Sequence, residues 1–121
     1  MKTPDLPENE QERLATLNSL TILDSAPDER FDRLTRIAVK LFDVPVALVS
    51  IVDKNRQWFK SCQGLDITET PRDLSFCGHA ILGEGAFVVE DTHQDERFVD
   101  NPLLIGQKHI RFYAGYPIRY L

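Results

Sequence analysis

Ser75, Cys77 and His79 bring a hydroxyl, a thiol and an imidazole within one and a half helical turns. A nucleophile beside an imidazole is what acyl-transfer chemistry needs, and a thiol beside an imidazole is also a pair of metal ligands. The spacing predicts a short helix over 75–82, closed by Gly83-Glu84-Gly85. On such a helix Cys77 and His79 are two residues apart and project to nearly opposite sides, so they share neither a metal nor a dyad. Ser75 and His79, at i,i+4, share a face. Phe76, Cys77, Ala80 and Ile81 form the apolar face, which makes Cys77 a small buried hydrophobe. His79 reads either as a hydrogen-bonded structural histidine or as a residue lining a ligand cavity alongside Ser75.

The remaining reactive side chains form no recognised constellation. His93 and His109 fall in separate loops, and neither Cys-x-x-Cys nor His-Glu-x-x-His spacing occurs. Glu90, Asp91, Asp95, Glu96 and Asp100 do not follow a calcium-loop pattern, and acids at a helix start are explained by capping and the helix dipole. Arg97 and Arg111 serve either an anionic ligand or the nearby acids. There is no phosphate-binding loop, nucleophile elbow or kinase signature. The expectation is therefore no catalytic residue, no metal and no cofactor.

Composition narrows the class further. A chain of 121 residues, 42% hydrophobic and 27% charged, fits one domain with a single core. A net charge of -5, with fourteen scattered Lys and Arg, argues against a nucleic-acid partner. Two cysteines make no disulfide framework, no apolar leader follows Met1, and the apolar run over 44–52 is too short to cross a bilayer. A cytoplasmic setting without direct membrane contact follows.

These residues must be positioned by a mixed set of elements. Residues 1–8, with Pro4, Pro7 and acids, read as a disordered lead or linker, and order begins at Asn9. Asn9 and Glu12 have the spacing of a capping box for a helix running to Leu23, with Leu14, Leu17 and Leu20 on one face. A second helix begins near Pro27, carries an apolar stripe of Phe31, Leu34, Ala38, Leu41 and Phe42, and is supported by Glu29/Arg33 and Asp32/Arg36 pairs. Asp43-Val44-Pro45 ends it. Residues 46–53 form a strand apolar on both faces, hence central in its sheet, and Lys54-Asn55-Arg56 turns it into a second strand over 57–62. Residues 63–73 read as loop. A strand over 86–90, a short helical turn capped by Asp91 and Thr92, a break at Asn101-Pro102, a loop through Gly106 and a strand over 110–116 complete the chain.

Taken in order, several segments resemble a GAF domain, the sensory module attached to bacterial signalling enzymes. They are Phe31-Asp32-Arg33-Leu34, Val46-Ala47-Leu48-Val49-Ser50-Ile51-Val52-Asp53, Arg56-Gln57-Trp58-Phe59-Lys60-Ser61, Glu69-Thr70-Pro71-Arg72 and Ser75-Phe76-Cys77-Gly78-His79-Ala80-Ile81. Val89-Glu90-Asp91, Asp95-Glu96-Arg97-Phe98, Asn101-Pro102-Leu103 and Ile110-Arg111-Phe112-Tyr113-Ala114-Gly115-Tyr116-Pro117 follow. The subgroup it is most similar to precedes diguanylate cyclase and histidine kinase modules.

The resemblance implies an α+β, profilin-like fold. A central antiparallel sheet carries the N-terminal helices on one face and a ligand cavity on the other, roofed by short helices and loops. Residues 9–121 would form this domain without its last strand or strands and its terminal helix, leaving sheet edges open to edge pairing or strand exchange in a homodimer. The implied function is non-enzymatic sensing of an unidentified small molecule that controls a cyclic di-GMP or histidine kinase output module in the same polypeptide. The cavity would use Ser75, His79, Asp91, Arg97, Arg111 and Tyr113, with Trp58 as an apolar wall. Alternatives from the same family are an enzyme of the free methionine sulfoxide reductase kind, a bilin or haem sensor using Cys77 or a histidine, and a ligand-free dimerisation module.

Overall fold

The structure, a computed structural model, describes residues 2–100 and 110–119. It is α+β, with antiparallel strands and helices interleaved along the chain. Two helices come first, α1 (Glu10–Ser19) and α2 (Glu29–Phe42), followed by strands β1 (Ala47–Val52), β2 (Arg56–Gln63) and β3 (Glu69–Pro71). A 3₁₀ turn (Arg72–Leu74) leads into helix α3 (Phe76–Ala80), then strand β4 (Phe87–Val89), a 3₁₀ turn (Thr92–Gln94) and strand β5 (Tyr113–Gly115). The expected break at Asn101-Pro102, the loop through Gly106 and the last two residues lie outside the described residues.

The N-terminal helices form where expected but with different ends. The Asn9 side chain makes no capping hydrogen bond, its backbone at φ -97° and ψ 26° lying outside the extended region that aims a capping side chain at the helix amides. Helix α1 stops at Ser19, and Thr21 and Asp24 take left-handed backbone with φ of 52° and 58°. Asp28, the residue after Pro27, caps α2 by accepting from the Arg30 amide at 2.9 Å. Neither of the two i,i+4 pairs expected on α2 makes direct contact, although both attract at longer range. Arg36 reaches two turns back to Glu29, and Asp32 accepts from the Ser61 hydroxyl at 2.6 Å.

Helix α2 is also rotated from the expected orientation. Leu34, Leu41 and Phe42 of the apolar stripe are 58%, 72% and 69% exposed, whereas Thr35 is 2% exposed against the sheet. The sheet-facing side is held by polar contacts. Thr35 Oγ1 lies 2.8 Å from Ser61 Oγ and accepts from Gln63 Nε2 at 3.3 Å. A helix seated on hydroxyls and an amide has no need to turn its broadest apolar face inward.

Strands β1 and β2 form the expected hairpin, with an irregularity that takes the register from Val49–Ser61 to Ser50–Phe59 and leaves Lys60 as the extra residue. Strand β1 is not central. The order is β1-β2-β3, so β2 occupies the middle. The two-sided apolar pattern of β1 reports coverage of its faces by α2 and α3, which says nothing about its hydrogen-bonding edge. Strand β3 arises inside the stretch expected to be loop. Only three residues long and ending in Pro71, it carries no periodicity to detect, and a proline is tolerated at a sheet edge. Gly64 makes the chain reversal after β2 at φ 91°, where a Cβ would fall 2.0 Å from the Pro45 carbonyl oxygen.

Beyond α3, β4 and β5 pair as a separate antiparallel ribbon, with Val88 opposite Ala114. Phe76, Val89 and Phe98 form its buried core, with Phe87, Ile110 and Tyr113 packed around them. The Phe76 ring lies 4.5 Å from Phe98 and is stacked 5.0 Å from Tyr113. Burying Phe76 contributes about 2–3 kcal/mol. That packing fixes α3, and with it the direction of His79.

Candidate functional site

Helix α3 begins one residue later than expected. Ser75 therefore stands outside it as the N-cap, with extended backbone, accepting from the Gly78 amide at 3.0 Å and donating to the Arg72 carbonyl at 2.7 Å. Both hydroxyl functions are used internally and the residue is 1% exposed, so Ser75 starts the helix and does not share its outer face with His79. Cys77 and His79 diverge as the helix geometry requires. Cys77 Sγ lies 3.1 Å from Tyr113 Oη, and burial pushes both the thiol and the phenol pKa up, so each stays protonated at neutral pH.

His79 is buried on the opposite side. Its Nε2 lies 3.1 Å from the Lys2 carbonyl, and since a carbonyl can only accept, Nε2 carries the proton. The ring meets Phe98 edge-on at 5.1 Å. Burial lowers the imidazole pKa against the opposing pull of the Lys2 carbonyl, so the ring is neutral at pH 7.

Arg97 comes to the same place by a different route. Asp95 accepts from the Arg97 amide at 2.9 Å and from its guanidinium at 2.7 Å, folding the side chain back over the Phe87 ring (4.9 Å) and the Phe98 ring (5.3 Å). His79 and Arg97 thus line one cavity of about 410 Å3, with Leu82, Gly83, Gly85, Ala86 and Phe87 on one side and Lys2 and Asp5 on another. The lead over 2–7 has no regular structure, yet it is pinned here. The Lys2 amide donates to the Arg97 carbonyl at 3.1 Å, and Pro4 sits against Gly78, where a Cβ would come within 2.8 Å of Pro4 Cγ.

The other expected site residues lie elsewhere. Asp91 caps the 3₁₀ turn by accepting from the His93 amide at 3.0 Å and pairs with Arg111 at 3.1 Å on the surface. Arg111 therefore serves an acid, and so does Arg97. Tyr113 is occupied with Phe76 and Cys77, and Trp58 is buried in β2; neither lines the His79 cavity. The lining residues that sequence reasoning missed divide in two. Phe87 lies two residues beyond the Gly83-Glu84-Gly85 turn that follows α3, a proximity that points to it; Lys2 and Asp5 arrive by the path of the lead, which carries no local signal.

Among the described residues, no group of three or more His, Cys, Asp or Glu side chains is arranged to hold a metal ion. Nor is any helix long and apolar enough to cross a membrane. The arrangement places a neutral donor imidazole, a guanidinium and an aromatic wall around a partly open cavity.

The scaffold is a mixed set of helices and antiparallel strands, with a short helix beside a small polar-and-aromatic cavity. The chain belongs to the GAF domain family, whose model matches residues 26–120. Over 118 residues it is 48% identical to a cyclic di-GMP phosphodiesterase of Pseudomonas aeruginosa. The match takes in 98% of this chain and 20% of that relative, so the chain spans about a fifth of the relative's length.

Proposed function

We propose that this chain is the regulatory, small-molecule-sensing domain of a bacterial signalling protein, and that its output module acts on cyclic di-GMP. The observation that carries the reading is the cavity shared by His79 and Arg97, on a chain whose relative is a cyclic di-GMP phosphodiesterase. The site offers recognition groups for an anionic or hydrogen-bond-accepting small molecule. Catalysis belongs to a module elsewhere in the polypeptide, in a cytoplasmic setting. A ligand seated between His79 and Arg97 has to displace or reorder Lys2, and so acts on the chain entering α1; differential affinity for the pinned and released lead is what shifts the output.

Native mass spectrometry of the freshly purified chain, followed by the His79→Ala/Arg97→Ala variant, tests the sensing reading. A co-purifying small molecule retained by the wild type and lost by a folded double variant is the expected result. Retention by the variant removes this cavity as the site. Assay of the full-length parent for cyclic di-GMP hydrolysis, with the same two substitutions, tests the output: altered turnover supports it, and synthesis of the nucleotide or histidine autophosphorylation in its place replaces it.

A further inference from the structure

A second cavity, of about 570 Å3, shares no residue with the one at His79. Its wall includes Lys60, the extra residue of the β1–β2 irregularity. The bulge turns Lys60 and Ser61 to the same side, toward α2 and the segment that precedes it. Lys60 is 8% exposed. Its ammonium donates to Ser25 Oγ at 2.7 Å and to the Ala26 carbonyl at 2.5 Å, and it lies 5.8 Å from the centre of the Phe31 ring.

All of these partners are neutral. Among the described residues no carboxylate lies within ion-pair distance of the Lys60 ammonium, and an ammonium has three protons to donate. The Asp28 carboxylate acts on this ammonium only from beyond that distance, so holding the cation out of water remains costly, and an anion entering the cavity relieves that cost. The same wall carries the reverse charge. Ser61 donates to Asp32 Oδ1 at 2.6 Å, fixing a carboxylate that among the described residues has no cation within ion-pair distance, Arg36 acting on it only from further away. Phe59, Leu65 and Ile67 supply apolar surface, and Asp66 and Glu69 make the lining hostile to a multiply charged anion such as phosphate.

We infer that this cavity binds a small zwitterion, an α-amino acid with an apolar side chain, its carboxylate on Lys60 and its ammonium on Asp32. Both charges of the ligand meet a partly desolvated opposite charge, and neither protein group has to give up an existing ion pair.

Titration of the 15N-labelled 121-residue chain with L-leucine, L-leucinamide and N-acetyl-L-leucine, followed by amide chemical shifts, tests this. L-Leucine is expected to shift residues 59–62 and 65–69 saturably. Each blocked form lacks one charge and is expected to bind at least about tenfold more weakly, roughly the loss of one charge-assisted contact. Asp32→Asn should weaken L-leucine similarly and abolish its advantage over the N-acetyl form. Lys60→Met should abolish the advantage over the amide; because that side chain is buried, the ligand pair carries the test if the variant does not fold. No saturable shift from L-leucine or L-phenylalanine up to about 10 mM, equal binding of the blocked forms, or shifts confined to His79 and Arg97 would overturn the inference. None of these outcomes bears on whether the His79 cavity retains a co-purifying molecule.

Discussion

Arg72 and Glu10, 62 positions apart, form a two-point ion pair, with Arg72 Nη1 donating to Oε1 at 2.5 Å and Nη2 to Oε2 at 3.2 Å. Arg13 grips the same carboxylate at 2.9 and 3.0 Å, and Arg72 Nη1 also donates to the Asp53 carbonyl at 3.1 Å. The Arg72 carbonyl accepts from Ser75, the cap of α3. Arg72 therefore joins the first turn of α1 to the β1–β2 turn through its buried guanidinium, and both to the helix that carries His79 through its carbonyl, which gives the N-terminal helix a mechanical connection to the site.

Glu10→Gln should accordingly destabilise the domain by about 2–3 kcal/mol, because it leaves the buried Arg72 charge uncompensated. Hydrogen bonds from Arg72 first, then Arg13, hold the Glu10 pKa down at about 2, against 4.5 ordinarily. A depressed folded-state pKa gives stability that is complete above 4.5 and lost as pH falls toward 2. Urea unfolding at pH 7 and at pH 3 checks this. The gap between wild type and Glu10→Gln should narrow at pH 3, and an equal gap at both pH values would show that the ion pair is not its source.

Little of that connection was legible in the sequence, because an ion pair between residues so far apart depends on the completed fold. Local chemistry served better. Lys54-Asn55-Arg56 announced the hairpin, and Ser75 to Ile81 the short helix, since turn and capping residues act on their immediate neighbours. Three-residue β3 had too few positions to show a period. In the site, His79 was legible from helix geometry, whereas the turn of Arg97 toward it depended on Asp95 and two aromatic rings. The apolar stripe of α2 misled for a physical reason: it marked a side turned away from the sheet, and the polar Thr35 marked the seat.

That reversal is measurable. Thr35→Val keeps the shape of the side chain but removes one of the two partners of Ser61 and the acceptor for Gln63, and should cost about 1–2 kcal/mol. Leu41→Ala, at an exposed position, should change stability by no more than about 0.5 kcal/mol. Chemical unfolding of both variants compares them directly. A larger loss from Leu41→Ala than from Thr35→Val would mean that the stripe faces the core after all.

Gly64 is the position where backbone conformation and space act together. An added methyl group would meet the Pro45 carbonyl oxygen at 2.0 Å, and φ is 91°. Gly64→Ala should therefore cost upwards of about 2 kcal/mol, more than the left-handed backbone alone exacts. Thermal unfolding of Gly64→Ala beside Gly83→Ala, where a Cβ meets nothing within 4 Å, separates the steric effect from a general glycine effect.

The lead and His79 are linked through Gly78. Burial holds the imidazole below its ordinary 6.5, so its neutral form contributes stability that is present above pH 6.5 and lost as pH falls through the depressed value. An NMR titration of the ring should give a midpoint under 6.5. In Gly78→Ala the new methyl group meets Pro4 Cγ and Ser75 Oγ, each at 2.8 Å. Ser75 is locked into the α3 cap, so the lead is what gives way. Lys2 then withdraws its carbonyl and water reaches the ring. Losing the carbonyl lowers the pKa and gaining water raises it, and because burial is the larger of the two influences, the midpoint should rise toward 6.5. A midpoint that stays put in a folded Gly78→Ala protein would mean that the lead does not cover His79.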